Sequence, residues 1–114
     1  MTQQEFELSN AKIITKCKEV MKSKGVAYTI GSTDRLANFK RTAERCGITP
    51  LQVWATFFEK QVSALMYYAG NPDAPQSEPI EQRVIDVLAY TQLGWGLIQE
   101  VEKEKDDFAN SVLQ

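Results

Sequence analysis

A chain of 114 residues, 43% hydrophobic and 25% charged, is long enough to bury roughly two thirds of its unfolded surface in one domain and too apolar to stay disordered. A formal charge of -2 and the lack of any histidine exclude a uniformly cationic nucleic-acid coat, Ser-His-Asp and Cys-His triads, and every histidine metal site. The charge is uneven: residues 1–60 carry ten bases and six acids, net +4, whereas 61–114 carry three bases and nine acids, net -6, so the N-terminal half is the one suited to an anion.

The amino terminus, MTQQEFELSN, is polar and lacks an apolar signal core. No run approaches the ~18 apolar residues that cross a bilayer, so the expectation is a cytoplasmic protein without membrane contact. Residues 1–7 are expected to fray, and a first helix runs from about Leu8 to Lys24. Ile13, Ile14, Cys17, Val20 and Met21 fall on one side of it at helical spacing. Gly25 is the expected stop. In the following GVAYTIGST, Val26, Tyr28 and Ile30 alternate as in a strand, but no second strand exists to pair with them. An ordered loop is the better reading.

Ser32 or Thr33 is placed to cap a second helix from Asp34 to Cys46, with Leu36, Phe39, Ala43 and Cys46 as its apolar stripe and Gly47 at its end. Cys17 and Cys46 form no C-x-x-C pair. Both read as small buried hydrophobes, not thiolate ligands or a disulfide. Thr49-Pro50-Leu51-Gln52 combines a capping threonine, a first-turn proline and a capping-box glutamine, which predicts a third helix reaching Tyr68 or Ala69. NPDAPQ, from Asn71 to Gln76, is a turn-rich linker. Ser77 then caps a long fourth helix with Pro79 in its first turn, and residues 108–114 fray.

The third and fourth helices carry more apolar surface than one face needs. On the third, Leu51, Trp54, Ala55, Phe58, Val62, Leu65 and Met66 form one side, and Val53, Phe57, Ala64 and Tyr68 a second. On the fourth, the main stripe is Ile80, Val84, Val87, Leu88, Thr91, Trp95, Ile98 and Val101, with Tyr90, Leu93 and Leu97 beside it. A helix apolar on two sides is central in a bundle or shared with another subunit. The fold expected is therefore an all-α, four-helix bundle-like single domain over residues 1–114, with a long C-terminal helix and a homo-oligomeric state. Gly94 and Gly96, inside that last helix, read as close helix packing around Trp95, a kink, or the approach of a ligand.

Two sets of side chains suit chemistry. Lys22, Lys24 and Arg35, and on the second helix Arg41 and Arg45 with Asn38 on the same side, are suited together with Tyr28 to bracketing a phosphorylated small molecule, since arginine forks onto phosphate and an aromatic ring stacks on a base. No glycine-rich phosphate loop accompanies them. Lys60 and Arg83 are further candidate cations, and Trp54 and Tyr90 further rings. Glu78, Glu81 and Asp86 on the fourth helix are candidate ligands for magnesium, a hard cation that wants several oxygens. The facing helix offers only Glu59, so the reading favours binding over catalysis. Arg83, Asp86 and Tyr90 stack at i, i+3 and i+7, and an ion pair is the plainer account of the first two. A helix-turn-helix through Gly47 would put a helix too apolar for a groove against DNA, which argues against nucleic acid.

Lys22-Ser23-Lys24-Gly25-Val26-Ala27-Tyr28 leading to Asn38-Phe39, then Phe58-Glu59-Lys60-Gln61, and above all Ser77-Glu78-Pro79-Ile80-Glu81-Gln82-Arg83-Val84-Ile85-Asp86-Val87-Leu88-Ala89-Tyr90 give residues 22–99 a pattern that resembles the phage and bacterial nucleotide-modification-associated helical domains. That family is similar in pattern to the all-helical nucleotide pyrophosphohydrolases. Where it carries Asp-Lys-x-x-Arg, this sequence has Glu59-Lys60-Gln61-Val62-Ser63. The resemblance implies a phage gene product that handles nucleotides on an oligomeric helical scaffold. The leading expectation is a phage-type protein of the host cytoplasm that binds a nucleotide-like small molecule, sequestering a nucleotide signal in evasion of host defence. The alternatives are a magnesium-dependent pyrophosphohydrolase and a protein-binding inhibitor of a host enzyme.

Overall fold

The computed structural model describes residues 1–28 and 31–113, the side chains of 26–28 excepted. Among the described residues the chain forms four helices and no strand: α1 (Gln3–Tyr28), α2 (Ala37–Cys46), α3 (Pro50–Gly70) and α4 (Ile80–Leu113). The all-helical expectation holds. No helix is long and apolar enough to cross a membrane among the described residues.

Several boundaries differ from those expected, each for a local reason. α1 starts at Gln3, not near Leu8, because Thr2 and Glu5 form a capping box. The Glu5 backbone N–H donates to Thr2 Oγ1 at 3.1 Å, and Thr2 N donates back to Glu5 Oε2 at 3.0 Å. Gly25 does not stop α1, which runs on to Tyr28. The expected loop is thus helical in its first half, and Thr29 and Ile30 lie outside the described residues. α2 begins three residues late. Asp34 Oδ1 accepts the Leu36 N–H at 2.9 Å and Ser32 Oγ accepts the Asp34 N–H at 3.0 Å, which holds a turn ahead of the helix. Ser77 does not cap α4, because its hydroxyl accepts from Arg83 instead. Pro79 stands just before the helix, its carbonyl accepting the Gln82 N–H. α4 continues through the residues expected to fray.

The end of α2 and the start of α3 match the sequence reading, while α3 runs on through Gly70, past the expected Tyr68 or Ala69. Gly47 takes a left-handed conformation (φ 68°), open to glycine without the Cβ clash, and closes α2. Thr49 and Gln52 make the reciprocal capping box on α3.

α3 and α4 form the central pair, with α2 packed on α3 and α1 on α4. Leu36, Phe39, Ala43, Val53 and Leu97 make one core cluster, and Cys17, Ile85 and Ala89 a second under α1. Cys17 is 1% exposed, and burial, followed by the neighbouring Asp86 carboxylate, pushes its thiol pKa up. Cys46 is exposed, against expectation, because it sits in the last turn of α2 beside the chain reversal at Gly47.

The molecule is elongated, 57 × 33 × 29 Å, with a radius of gyration of 17.5 Å where a compact chain of this length has about 13 Å. Residues 1–12, which include the first ten residues of α1, are exposed throughout. Lys16 Nζ pairs with Glu81 at 2.6 Å where α1 meets α4, but both side chains are half exposed, so this pair adds little.

Lys40 ties the turn before α2 to α4, with its ammonium 2.5 Å from Asp34 Oδ2 and 3.0 Å from Glu100 Oε2. The hydrogen bond from Lys40, then the Leu36 N–H, holds the Asp34 carboxyl below the usual range. The same bond, then that to Glu100, raises Lys40. A lowered carboxyl pKa stabilises fully above its unfolded value, about pH 4, and the contribution is lost as pH falls through the folded value. A raised lysine pKa acts in the opposite sense, lost as pH climbs above about 10.5. Urea melts at several pH values are expected to show Asp34→Asn less stable than wild type at pH 7 and the gap closing below about pH 4. A gap that persists at pH 2 contradicts the linkage.

Candidate functional site

Arg35, Asn38, Phe39, Phe57, Tyr90 and Leu93 line a cleft of about 260 Å³ where α2, α3 and α4 meet, near the lower end of small-ligand pockets. Three rings stand in series there. Phe39 and Phe57 are 6.4 Å apart and tilted by 59°, and Phe57 stacks on Tyr90 at 6.3 Å and 16°. The lining thus offers flat apolar walls, one guanidinium and one carboxamide, and no carboxylate or thiol.

Local sequence puts each side chain there. Arg35 follows Asp34 in the turn that the Asp34 carboxylate fixes, and its side chain lies over Gly25. A Cβ on Gly25 would come within 3.2 Å of Arg35 Nε, so the glycine expected to end α1 makes room for the arginine instead. The guanidinium stands at the negative end of the α1 dipole. Asn38 and Phe39 occupy the first turn of α2. Tyr90 is placed by Trp54, whose indole Nε1 donates to the Tyr90 carbonyl at 2.6 Å. Trp54 also stacks on Phe58 at 5.0 Å and wedges against Gly94, so it serves the α3–α4 contact and does not line the cleft.

The cations named from sequence do not gather at one place. Arg35 and Tyr90 meet in the cleft just described. Lys60 and Arg83 line a second, shallower hollow beside Tyr67 and the linker residues Pro75 and Gln76. Arg83 is already engaged there by Glu78 at 3.6 Å, Ser77 at 3.1 Å and Gln61 at 3.4 Å. Lys24 lies 3.9 Å from Asp86 across the α1–α4 seam. Lys22 and Arg41 are exposed and line none of these hollows. The side chain of Tyr28 lies outside the described residues.

Glu78, Glu81 and Asp86 do not form one ligand set. Glu78 pairs with Arg83, Glu81 with Lys16, and buried Asp86 accepts from Gln82 Nε2 at 3.0 Å and faces Lys24. Among the described residues no three Cys, Asp or Glu side chains surround a common point. Each carboxylate is turned toward a different cation or amide, and the arrangement does not fit magnesium. Phe39, Phe57 and Leu93 are the lining residues that sequence reasoning did not name as a site. The second apolar stripe of α3, which holds Phe57, was the available signal. The chain matches no family model, no curated protein and no solved structure.

Proposed function

We propose that the protein binds a nucleotide-like small molecule in the Arg35–Tyr90 cleft. The carrying observation is the run of rings Phe39–Phe57–Tyr90 beside one guanidinium. A base or other flat heterocycle packs against rings in a low-entropy site, and arginine forks onto phosphate. Without a carboxylate or thiol in the lining, the proposal is retention of the ligand, not its turnover. In this reading the chain is a phage-type, cytoplasmic homo-oligomer that sequesters a nucleotide signal.

Isothermal titration against linear and cyclic nucleotides is the test. At least one is expected to bind. Arg35→Ala is expected to weaken it by roughly 10- to 100-fold, the value of one charge-assisted contact. Lys12→Ala, about 20 Å along α1 from Gly25, is expected to leave it unchanged. Flat titrations across the whole panel, or equal losses in the two variants, overturn the reading.

A further inference from the structure

Two polar side chains that line the Arg35–Tyr90 cleft have no partner within the chain. Arg35 and Asn38 are both partly buried, yet among the described residues neither side chain makes a hydrogen bond or an ion pair. Cations elsewhere in the molecule are matched. Lys16, Lys24, Lys40 and Lys105 each meet a carboxylate, and Arg83 meets Glu78, Ser77 and Gln61. A guanidinium or a carboxamide drawn partly out of water loses hydration that only a new partner returns. Both groups share their cleft with the rings of Phe39, Phe57 and Tyr90.

We propose that the cleft takes a nucleotide with a single phosphate and an adenine-type base, Arg35 holding the phosphate and Asn38 reading the edge of the base, an assignment that rests on the nucleotide reading of the same cleft. The division of labour follows from charge. A phosphate leaving water for an apolar-walled site needs a cation, and the guanidinium offers it two parallel N–H groups. The carboxamide is neutral and carries an acceptor beside its donors. That pattern complements an amino group next to a ring nitrogen, which adenine presents and a carboxamide grips with two hydrogen bonds. The rings set the shape. Phe39, Phe57 and Tyr90 follow one another in steps of 6.4 and 6.3 Å between centroids, a wall longer than a single ring, so a fused purine covers more of it than a pyrimidine. The phosphate count follows from size and supply. A cleft of about 260 Å³ falls below the ~300 Å³ at which drug-sized sites begin, room for one nucleoside unit and not two. Among the described residues Arg35 is the one cation that lines it. Lys60 and Arg83 belong to the second hollow, and Lys24 to the α1–α4 seam. Further phosphates would reach into solvent, where their charge is screened and gains little.

Isothermal titration of the full chain with adenosine, adenosine monophosphate, adenosine triphosphate and purine riboside monophosphate, which lacks the exocyclic amine, is the test. Adenosine is expected to bind at least about 10-fold more weakly than its monophosphate, and the triphosphate within about 5-fold of the monophosphate. Purine riboside monophosphate is expected to bind about 5- to 150-fold more weakly than adenosine monophosphate, the value of one two-bond contact to a base. In Asn38→Leu, which has no hydrogen bond within the chain to lose, that last gap is expected to close while the gap between adenosine and its monophosphate stays. If Asn38→Leu loses helical circular dichroism, the wild-type ligand series alone decides. A triphosphate bound more than about 5-fold tighter than the monophosphate, adenosine bound as tightly as its monophosphate, equal binding with and without the amine, or an amine gap that persists in folded Asn38→Leu each overturns the assignment. A different nucleotide held in an Arg35-dependent way, with adenosine monophosphate giving a flat titration, overturns the assignment and leaves the cleft a nucleotide site. Flat titrations with every nucleotide overturn both.

Discussion

Phe39→Ala is expected to cost about 4 kcal/mol of folding stability, the middle of the range for emptying a buried phenylalanine site. Phe39 is 5% exposed and packs with Leu36, Ala43, Val53 and Leu97 in the larger core cluster. It is the only side chain of that size buried there. It also touches Phe57, so its loss opens the cleft wall and leaves Phe57 without its neighbour on α2. Domains of this size are stable by about 5–15 kcal/mol in total, and an elongated chain with two small cores has little in reserve. Urea denaturation at matched protein concentration measures the effect as a fall in midpoint with unchanged slope. A loss below about 1.5 kcal/mol would mean that Phe39 does not anchor α2 to α3.

The second large effect is expected at Gly94. In an exposed helix interior, glycine to alanine gains about 1 kcal/mol. Here the new Cβ would stand 2.3 Å from Trp54 Cε2 and Cζ2, inside the body of a ring and not at the end of a flexible chain. Moving the ring disturbs its stack on Phe58 and its 2.6 Å hydrogen bond to the Tyr90 carbonyl. Overpacking costs about 1–3 kcal/mol and the hydrogen bond about 1. The net expectation for Gly94→Ala is a loss of about 2 kcal/mol, a fall in melting temperature of roughly 8 °C. Gly96→Ala is the matched control. Its Cβ meets only the two Leu36 methyls, at 3.4 and 3.9 Å, and a gain of about 0.5 kcal/mol is expected. Equal melting temperatures for the two variants would refute the close contact at Gly94.

These glycines also mark where sequence reading ended. Two glycines inside a helical pattern announced close packing, but the expected centre was Trp95. The structure leaves Trp95 61% exposed and puts Trp54 against Gly94 instead. The same inversion runs along α4. The stripe from Ile80 to Val101 is continuous in sequence, yet of its members only Leu88 packs against a buried cluster, and the other interior contacts come from Ile85, Ala89 and Leu97, with Tyr90 and Leu93 packed against them. Periodicity reports that a face is apolar, not which neighbour it meets.

For the candidate site the legible part was residue type. Arginine and tyrosine in a chain without histidine pointed to anion and ring recognition, but Arg35 and Tyr90, Lys60 and Arg83, and Lys24 stand in three separate places. Arg35 and Tyr90 are 55 positions apart in the chain, and local spacing carries no information on such a pairing. The three carboxylates looked like a set because they share one turn-rich segment and helix start. Each in fact answers a different base or amide.

The sequence by itself determined the helical class, the capping box at Thr49–Gln52 and the reversal at Gly47, because each depends on groups within four residues of one another. It also contained the Thr2–Glu5 box that starts α1. Only the tertiary structure decided which sides of α3 and α4 are interior, that Arg35 meets Phe57 and Tyr90 in one cleft, and that Met66 and Trp95 stay exposed. Those outcomes follow from where α1 and α2 come to rest, and burial rewards any apolar side that finds a neighbour, whatever its place in the chain.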